Sequence, residues 1–335
     1  MQFSHAVRTL TRTTTALALG AMLVTALAPP VAAEGAKPIT VRIGYQKIGD
    51  LLLLKGQGAL EKRFARDGIT VQWVQFQSGP PLLEALNAGS IDFGYTGDAP
   101  PIFAQAAGTN LVYVAYTPDR GRGEGILVHK DAGITTLADL RGKKVAFTRG
   151  SSANNAAVKF IEKGGLRYDQ VNTLYLQPAD AAAAFQNGSI DAWVIWDPFF
   201  ALYQRLPNAK VLATDEGVAP SNAFYLSRRD FATRYPEVVS AVIAELDAVS
   251  HWGHAHPQEV AHILAQASGV DESVELVATE RKDYGVAPLT PDVVHEQQDI
   301  ADTFARLGLI PHTVDVKVAV WTPGVRATAQ AGTQR

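Results

Sequence analysis

Small polar residues recur where apolar, strand-like segments of the chain end. Ten residues in five such loops are candidates for a binding site, and all but the apolar Trp196 are small or polar: Gln46, Ser78, Gly79, Thr96, Gly97, Asp98, Ser151, Ser152, Trp196 and Asp197. A segment with helical periodicity follows each loop, so backbone N–H groups, hydroxyls and the positive end of a helix dipole would meet there. This combination suits a small oxyanion that is held without a metal ion. The five loops therefore predict an anion-binding site.

The same residue types also have structural uses. Serine and threonine are ordinary helix N-caps, and a loop tryptophan such as Trp196 either packs locally or forms an apolar wall for a ligand. Asp98 and Asp197 each come just before a helix that begins near a proline. A carboxylate at that position can cap the helix. We expect caps here, and contact with a cationic part of a ligand is the alternative.

Five apolar segments precede these loops and have the composition of buried strands: residues 41–45, 71–76, 93–95, 145–147 and 193–195. They alternate with helical patterns, which predicts mostly parallel sheets flanked by helices. In open α/β sheets, a ligand binds outside the carboxyl ends of the strands. We therefore expect an α/β fold in which these loops surround the ligand.

An internal repeat divides the chain. Residues 71–98 and 171–197 both contain a strand, a glutamine, a short turn with proline, a helix, the sequence Gly-Ser-Ile-Asp, and a second strand followed by aspartate. Two copies are too few for a solenoid, and 335 residues exceed the usual size of a single core. The repeat therefore predicts two homologous α/β lobes.

Glycine-rich and proline-rich loops indicate where the chain passes between the lobes. Residues 126–129 and 224–227 are isolated strand-like segments that follow such loops in the sequence. If they run side by side, they would form a two-stranded hinge. The expected first lobe comprises residues 37–125 and 227–322. The expected second lobe comprises residues 126–226.

The two ends of the chain and its composition indicate its location. Residues 1–33 have the basic, apolar and small-residue order of a secretory signal peptide. Their apolar stretch is roughly half of the ~20 residues that a membrane span needs. The chain has no cysteine, so it has neither a disulfide framework nor the thiol on which a lipoprotein anchor is built. Residues 323–335 are small and polar, and we expect a disordered tail. A periplasmic protein, free of the membrane, is predicted.

Charge and motif content argue against several functions. The formal net charge of −3 gives no electrostatic footprint for nucleic acid. The sequence contains no nucleophile elbow and no P-loop, which argues against an enzyme. His251, His254, His256 and His262 are close in sequence, but their spacing does not place three ligands on one helix face, so a solvated helix end is the preferred interpretation. We expect a monomer that needs no metal and no cofactor.

Several stretches together carry a resemblance to a known family: residues 43–47, 79–86, 89–94, 96–101, 192–199, 284–286 and 296–302. In order and spacing they resemble the aliphatic-sulfonate-binding proteins of ABC importers, within the wider group of sulfonate, taurine and nitrate binders. The resemblance implies a type II periplasmic-binding-protein fold, with two lobes that close by hinge motion on an alkanesulfonate. It also implies that the protein captures aliphatic sulfonates in the periplasm and delivers them to a membrane permease.

The resemblance implies positions for the ligand as well. The sulfonate would contact the loops at Gln46, Ser78-Gly79, Thr96-Gly97 and Ser151, and its alkyl part would face Trp196. The chain departs from the family pattern where residue 98 is Asp instead of Glu, and again at residues 152–154 and 116–118. These positions line or flank the expected cleft. The exact sulfonate is therefore left open, with taurine, nitrate or another small organic anion as the alternative.

Overall fold

The computed structural model describes residues 39–119, 122–218 and 221–323, which form two five-stranded sheets flanked by helices. The predicted signal peptide lies outside the described residues, and so does the predicted tail beyond residue 323. The α/β class expected from the alternating pattern is confirmed.

Strands and helices alternate along most of the described chain. The strands are β1 (Thr40–Tyr45), β2 (Thr70–Gln75), β3 (Phe93–Thr96), β4 (Leu111–Asp119), β5 (Glu124–His129), β6 (Lys144–Phe147), β7 (Asn172–Tyr175), β8 (Ala192–Trp196), β9 (Ala209–Thr214) and β10 (Ser221–Arg228). The helices are α1 (Gly49–Gln57), α2 (Ala59–Phe64), α3 (Gly79–Asn87), α4 (Ala99–Ala106), α5 (Ser152–Lys163), α6 (Pro178–Gln186), α7 (Phe199–Tyr203), α8 (Arg229–Arg234), α9 (Pro236–Ala255), α10 (Pro257–Ser268), α11 (Glu272–Arg281) and α12 (Pro291–Arg306).

The two sheets have the same arrangement. Sheet 1 has the strand order β2-β1-β3-β10-β4, and sheet 2 has the order β7-β6-β8-β5-β9. In sheet 1 the first three strands are parallel and β10 is antiparallel to both of its neighbours. In sheet 2, β5 has the corresponding antiparallel position. We call sheet 1 with α1–α4 and α8–α12 the first lobe, and sheet 2 with α5–α7 the second lobe.

The aspartate of the repeated Gly-Ser-Ile-Asp has the same structural task in both lobes. Asp92 N donates to the carbonyl of Arg42 in β1, and Arg42 N donates back to the Asp92 carboxylate at 3.0 Å. Asp191 N likewise donates to the carbonyl of Lys144 in β6, and Lys144 N donates to the Asp191 carboxylate at 2.7 Å. Each aspartate thus fixes the start of one parallel strand against its neighbour.

The hinge differs in detail from the expectation. Residues 126–129 belong to β5 and pair within sheet 2, whereas residues 224–227 belong to β10 and pair within sheet 1, so the predicted pairing of these two segments is wrong. The chain passes between the sheets after β4 and after β9. The paired strands at this point are β4 and β10, with Asp119 opposite Ser221. Both segments have the composition of a strand, but only long-range pairing decides which sheet each one joins.

The first lobe has an apolar core on each face of its sheet. Successive residues of a strand point to opposite faces, and accordingly Phe224 belongs to one core and Tyr225 to the other. The second lobe has a core of its own, which includes Phe147, Phe185 and Trp193. The loops at the strand ends are therefore mounted on two separately packed bodies.

Beyond the repeat, an apolar stripe in residues 236–252 predicts a long helix, and residues 257–268 and 292–307 predict two more. They correspond to α9, α10 and α12 with small shifts at the ends. The helix α11 is not predicted by the sequence pattern, and it contributes to the cleft described below. Among the residues that the structure describes, no helix is long and apolar enough to cross a membrane.

Candidate functional site

A cleft lies between the two lobes and encloses about 1160 Å³, its open mouth included. The first lobe forms its walls with the loops after β1 and β3, the start of α3, and the helices α1, α10 and α11. The second lobe contributes the start of α5 and the loop after β8. Loops at the carboxyl ends of parallel strands in both sheets therefore line one shared space.

Seven of the ten predicted site residues line this cleft: Gln46, Gly79, Gly97, Ser151, Ser152, Trp196 and Asp197. Gln46 is positioned by a hydrogen bond from its Nε2 to the carbonyl of Tyr95 at 3.0 Å. Trp196 ends β8, packs against the core of the second lobe and also lines the cleft. The contacts of these residues with a ligand remain predictions.

Ser78 and Thr96 are fully buried and do not line the cleft. Ser78 Oγ donates to Gln177 Oε1 in the second lobe at 3.0 Å, and Thr96 Oγ1 donates to the carbonyl of Gly97 at 2.9 Å. Their hydroxyls satisfy protein groups instead of facing the open space. The structure therefore does not support the predicted direct contact of either side chain with a ligand.

Asp98 is also turned away from the cleft and is only 1% exposed. Its carboxylate accepts from Ala99 N at 2.6 Å, as a helix cap does, and from Asn155 Nδ2 of α5 at 2.7 Å. The interpretation of Asp98 as a cap is confirmed, and predicted contact of its carboxylate with a ligand is not supported. Because Asn155 belongs to the second lobe, the same carboxylate also holds the two lobes together.

Glycines on the walls mark close approaches of the backbone. A β-carbon on Gly97 would lie 2.7 Å from Cβ of Ser152 in the opposite lobe, which is too close for any side chain. Gly79 has a different reason to be glycine, because its β-carbon would lie 2.6 Å from Pro100 of the same lobe. Gly97 is thus a position where a larger residue would hold the lobes apart.

Two helices begin at the cleft, one from each lobe. Ser78 and Ser151 are the N-caps of α3 and α5, but neither side chain caps its helix, and Ser151 Oγ donates to the carbonyl of Thr148 at 2.7 Å. The first N–H groups of a helix need partners from outside it, and the helix dipole favours an anion there. Gly79 and Ser152, the first residues of the two helices, both line the cleft.

Arg281, the last residue of α11, bridges the lobes at the cleft. Its Nη1 lies 3.3 Å from Asp197 Oδ1, its Nη2 donates to Gln204 Oε1 at 2.9 Å, and its guanidinium carbon lies 4.9 Å from the centre of the Phe200 ring. Asp197 also accepts from Ala201 N in α7 at 2.8 Å, which is the capping contact expected for it. Burial raises the pKa of the Asp197 carboxyl to about 7, and the charge of Arg281 opposes that rise.

Lys282, the residue after Arg281, forms an ion pair with Asp50 of α1, and both residues line the cleft. Tyr225 donates its hydroxyl to the same carboxylate at 3.3 Å. The two basic side chains at the end of α11 are therefore matched by carboxylates. They do not present an excess of positive charge to an anion, which leaves the helix starts as the favourable place for one.

Sequence reasoning missed a group of cleft residues on α1 and α11: Asp50, Glu275, Thr279, Arg281 and Lys282. The charged run that ends α11 is a visible signal, but charge runs are usually solvated. The sequence around α11 does not indicate that this helix lies beside the loops after β1 and β8. The chain reaches α11 only after it has returned from the second lobe to the first.

The histidine cluster has other contacts. His262 Nδ1 lies 2.8 Å from Glu272 Oε2, and His251 Nδ1 lies 2.9 Å from the carbonyl of Asp247. Within the described residues, no three His, Cys, Asp or Glu side chains come together as metal ligands would.

Comparison with known proteins places this geometry in a family. The sequence profile described as NMT1/THI5 like matches residues 62–260, more than half of the 335-residue chain. The chain belongs to this family. A protein of Escherichia coli (strain K12) named for binding aliphatic sulfonates is 40% identical over 296 residues, which are 88% of this chain and 92% of that protein.

Two solved structures are similar across the described fold. The alkanesulfonate-binding protein SsuA from Xanthomonas axonopodis pv. citri, bound to MOPS, is 41% identical with a TM-score of 0.81, over 85% of this chain and 99% of that one. The periplasmic aliphatic sulphonate binding protein SsuA from Escherichia coli is 37% identical with a TM-score of 0.78, over 89% of this chain and 97% of that one. The expected resemblance and the periplasmic-binding-protein fold are confirmed.

Proposed function

We propose that this protein is the substrate-binding component of an ABC importer, which captures aliphatic sulfonates and delivers them to a membrane permease. One observation carries the proposal: the cleft between the lobes is lined by the uncapped start of a helix from each lobe. Relatives that cover most of the chain are named for binding aliphatic sulfonates or alkanesulfonates.

The sulfonate binds at the starts of α3 and α5. Its oxygens accept from N–H groups at Gly79 and Ser152, where the helix dipoles favour negative charge. Gln46 and the backbone at Gly97 complete this end of the cleft, and Trp196 faces the organic part. Because the two helices belong to different lobes, an anion held by both favours the closed arrangement over an open one.

Two hydrogen bonds between the lobes would form when the cleft closes. Ser78 bonds to Gln177, and Asp98 bonds to Asn155, each with one partner in each lobe. Opening the cleft would break these bonds and expose the groups to water. Ligand binding and closure are therefore coupled through polar contacts that do not themselves touch the ligand.

The protein works in the periplasm, and residues 1–33 are the signal peptide that directs it there. It acts as a monomer, its partners are a small anionic ligand and the permease, and it does not bind nucleic acid. The composition of residues 1–33 supports the location, as does the name of the Escherichia coli relative, a periplasmic protein.

Titration calorimetry of the purified protein against propane-1-sulfonate, taurine, nitrate and sulfate tests the proposal. We expect dissociation constants below about 1 mM for the sulfonates, a free energy more favourable than about −4 kcal/mol, without added metal. Nitrate and sulfate lack an organic part for the Trp196 side of the cleft and should bind more weakly. The absence of heat and of any thermal shift with every sulfonate would overturn the assignment of the substrate.

A further inference from the structure

Two polar side chains of α11 line the cleft on the side of α1 and α10. Glu275 and Thr279 are four residues apart, so they lie on the same face of the helix, one turn from each other. Their neighbours on this wall are apolar and buried, with Leu53 from α1 and Val260 and Leu264 from α10. Apart from the ion-paired Asp50 and Lys282, which also line the cleft, the wall is thus apolar with two polar groups.

Neither polar group is fully satisfied by the protein. Glu275 is 2% exposed, and Ser268 Oγ donates to its Oε1 at 2.7 Å. Across the described ranges, no basic side chain forms an ion pair with Glu275. Thr279 is 3% exposed, and its Oγ1 is buried without a hydrogen-bond partner among the described residues. A buried polar atom left without a partner is costly, which points to a partner supplied from outside the chain.

Two other carboxylates of the cleft have a basic partner, whereas Glu275 has none among the described residues. Asp50 pairs with Lys282, and Asp197 pairs with Arg281. Burial raises the pKa of Glu275. Burial also raises the pKa of Asp197, the charge of Arg281 opposes that rise, and the charge of Glu275 adds a smaller contribution to it. A cation bound beside Glu275 would stabilise the charged forms of both Glu275 and Asp197.

We propose that Glu275 and Thr279 form a subsite for a protonated amine, so that the preferred ligands are zwitterionic sulfonates with an ammonium group remote from the sulfonate. This inference rests on the proposed function. The sulfonate occupies the helix starts, the carbon chain lies against the apolar side chains, and the ammonium donates to the Glu275 carboxylate and to Thr279 Oγ1. Hydrogen bonds between charged groups are stronger than neutral ones, and a poorly solvated niche strengthens them further.

Matched pairs of ligands test the inference. Alkane-1-sulfonates of two, three and four carbons are compared by calorimetry with the ω-amino derivatives of the same length, so only the amine differs within a pair. For the length that spans the cleft, we expect the amine to tighten binding by about tenfold or more, the usual worth of one charge-assisted hydrogen bond.

Three variants locate the effect. Glu275→Gln keeps the size of the side chain and an oxygen for Ser268 but removes the charge, and it should abolish the gain from the amine. Thr279→Val removes the hydroxyl with little change in shape, and it should reduce the gain. Glu280→Gln changes an exposed carboxylate on the same helix and should keep the whole gain. The gain is the ratio of the two affinities within a ligand pair, taken for each variant separately, and Glu280→Gln should bind the plain alkanesulfonates as the unmodified protein does. Circular dichroism reports the folding of all three variants.

The outcomes separate this inference from the proposed function. If plain sulfonates bind but no amine improves affinity, or if the improvement survives in Glu275→Gln, the subsite assignment is wrong while the sulfonate function stands. If no sulfonate of either kind binds, the proposed function fails and the subsite fails with it. A gain from the amine that disappears with Glu275→Gln and remains with Glu280→Gln supports the inference.

Discussion

Replacing Asp197 by asparagine should change how the stability of the protein depends on pH. The carboxylate is 5% exposed, lies 3.3 Å from Arg281 and accepts from Ala201 N at 2.8 Å. Burial dominates these favourable contacts and raises the pKa of Asp197 from 3.8 to about 7. The folded protein therefore holds a proton on this group over a range of pH in which the unfolded chain has lost it.

The sign and the size of the effect follow from that difference in pKa. The protonated group contributes stability that is complete below about pH 4 and is lost as the pH rises through about 7, because the folded state binds the extra proton only in that window. The rise of the pKa from 3.8 to about 7 corresponds to about 4 kcal/mol, at roughly 1.4 kcal/mol for each pH unit. Asparagine does not titrate, and its amide oxygen still accepts from Ala201 N and Arg281.

Urea unfolding of both proteins, followed by tryptophan fluorescence from pH 4 to pH 8, measures how the free energy of unfolding depends on pH. The free energy of unfolding of Asp197→Asn, minus that of the unmodified protein, should increase by about 4 kcal/mol across this range. Asp180→Asn, at an exposed carboxylate of the second lobe, serves as the control and should follow the unmodified protein. If the curves for Asp197→Asn and the unmodified protein run parallel, burial does not dominate at Asp197 and the reasoning is refuted.

Three further substitutions test the interface between the lobes and the repeat. Gly97→Ala should weaken sulfonate binding by about 1–3 kcal/mol in calorimetry and leave the circular dichroism spectrum unchanged. The reason is that the new methyl would lie 2.7 Å from Cβ of Ser152 in the opposite lobe. Unaltered affinity would contradict this prediction. Asp92→Ala should lower the free energy of unfolding by about 3–5 kcal/mol, since the buried carboxylate is paired with Arg42. Asp191→Ala should cost about 1 kcal/mol, and equal losses at the two positions would show that the ion pair adds nothing.

The parts of the site that the sequence predicts are those built by local rules. A strand followed by a glycine or hydroxyl residue and then a helix places the loop at the carboxyl end of the strand, and parallel pairing brings such loops to one edge. That rule found Gln46, Gly79, Gly97 and Ser152 at the cleft. It could not say where a side chain points, which is why Thr96, at the same edge, is buried with its hydroxyl bonded to a carbonyl.

The hinge illustrates a second kind of limit. The segments in β5 and β10 have equivalent composition and equivalent flanking loops, and each occupies the antiparallel position of its own sheet. Composition therefore predicted both strands correctly and gave no basis for choosing their partners. The choice depends on pairing over long sequence separations, such as that of Tyr225 with Tyr95.

The two ends of the cleft consequently have different origins. The end of the cleft proposed for the anion is built from the repeated unit and its flank, with the start of α3 inside one copy and the start of α5 just before the other. The end at Glu275 belongs to α11, which has no counterpart in the second lobe. The repeat thus accounts for binding an oxyanion, while the choice among organic groups depends on a helix outside the repeat. Substitutions on α11 should accordingly change which sulfonate binds, and substitutions at the helix starts should weaken all of them alike.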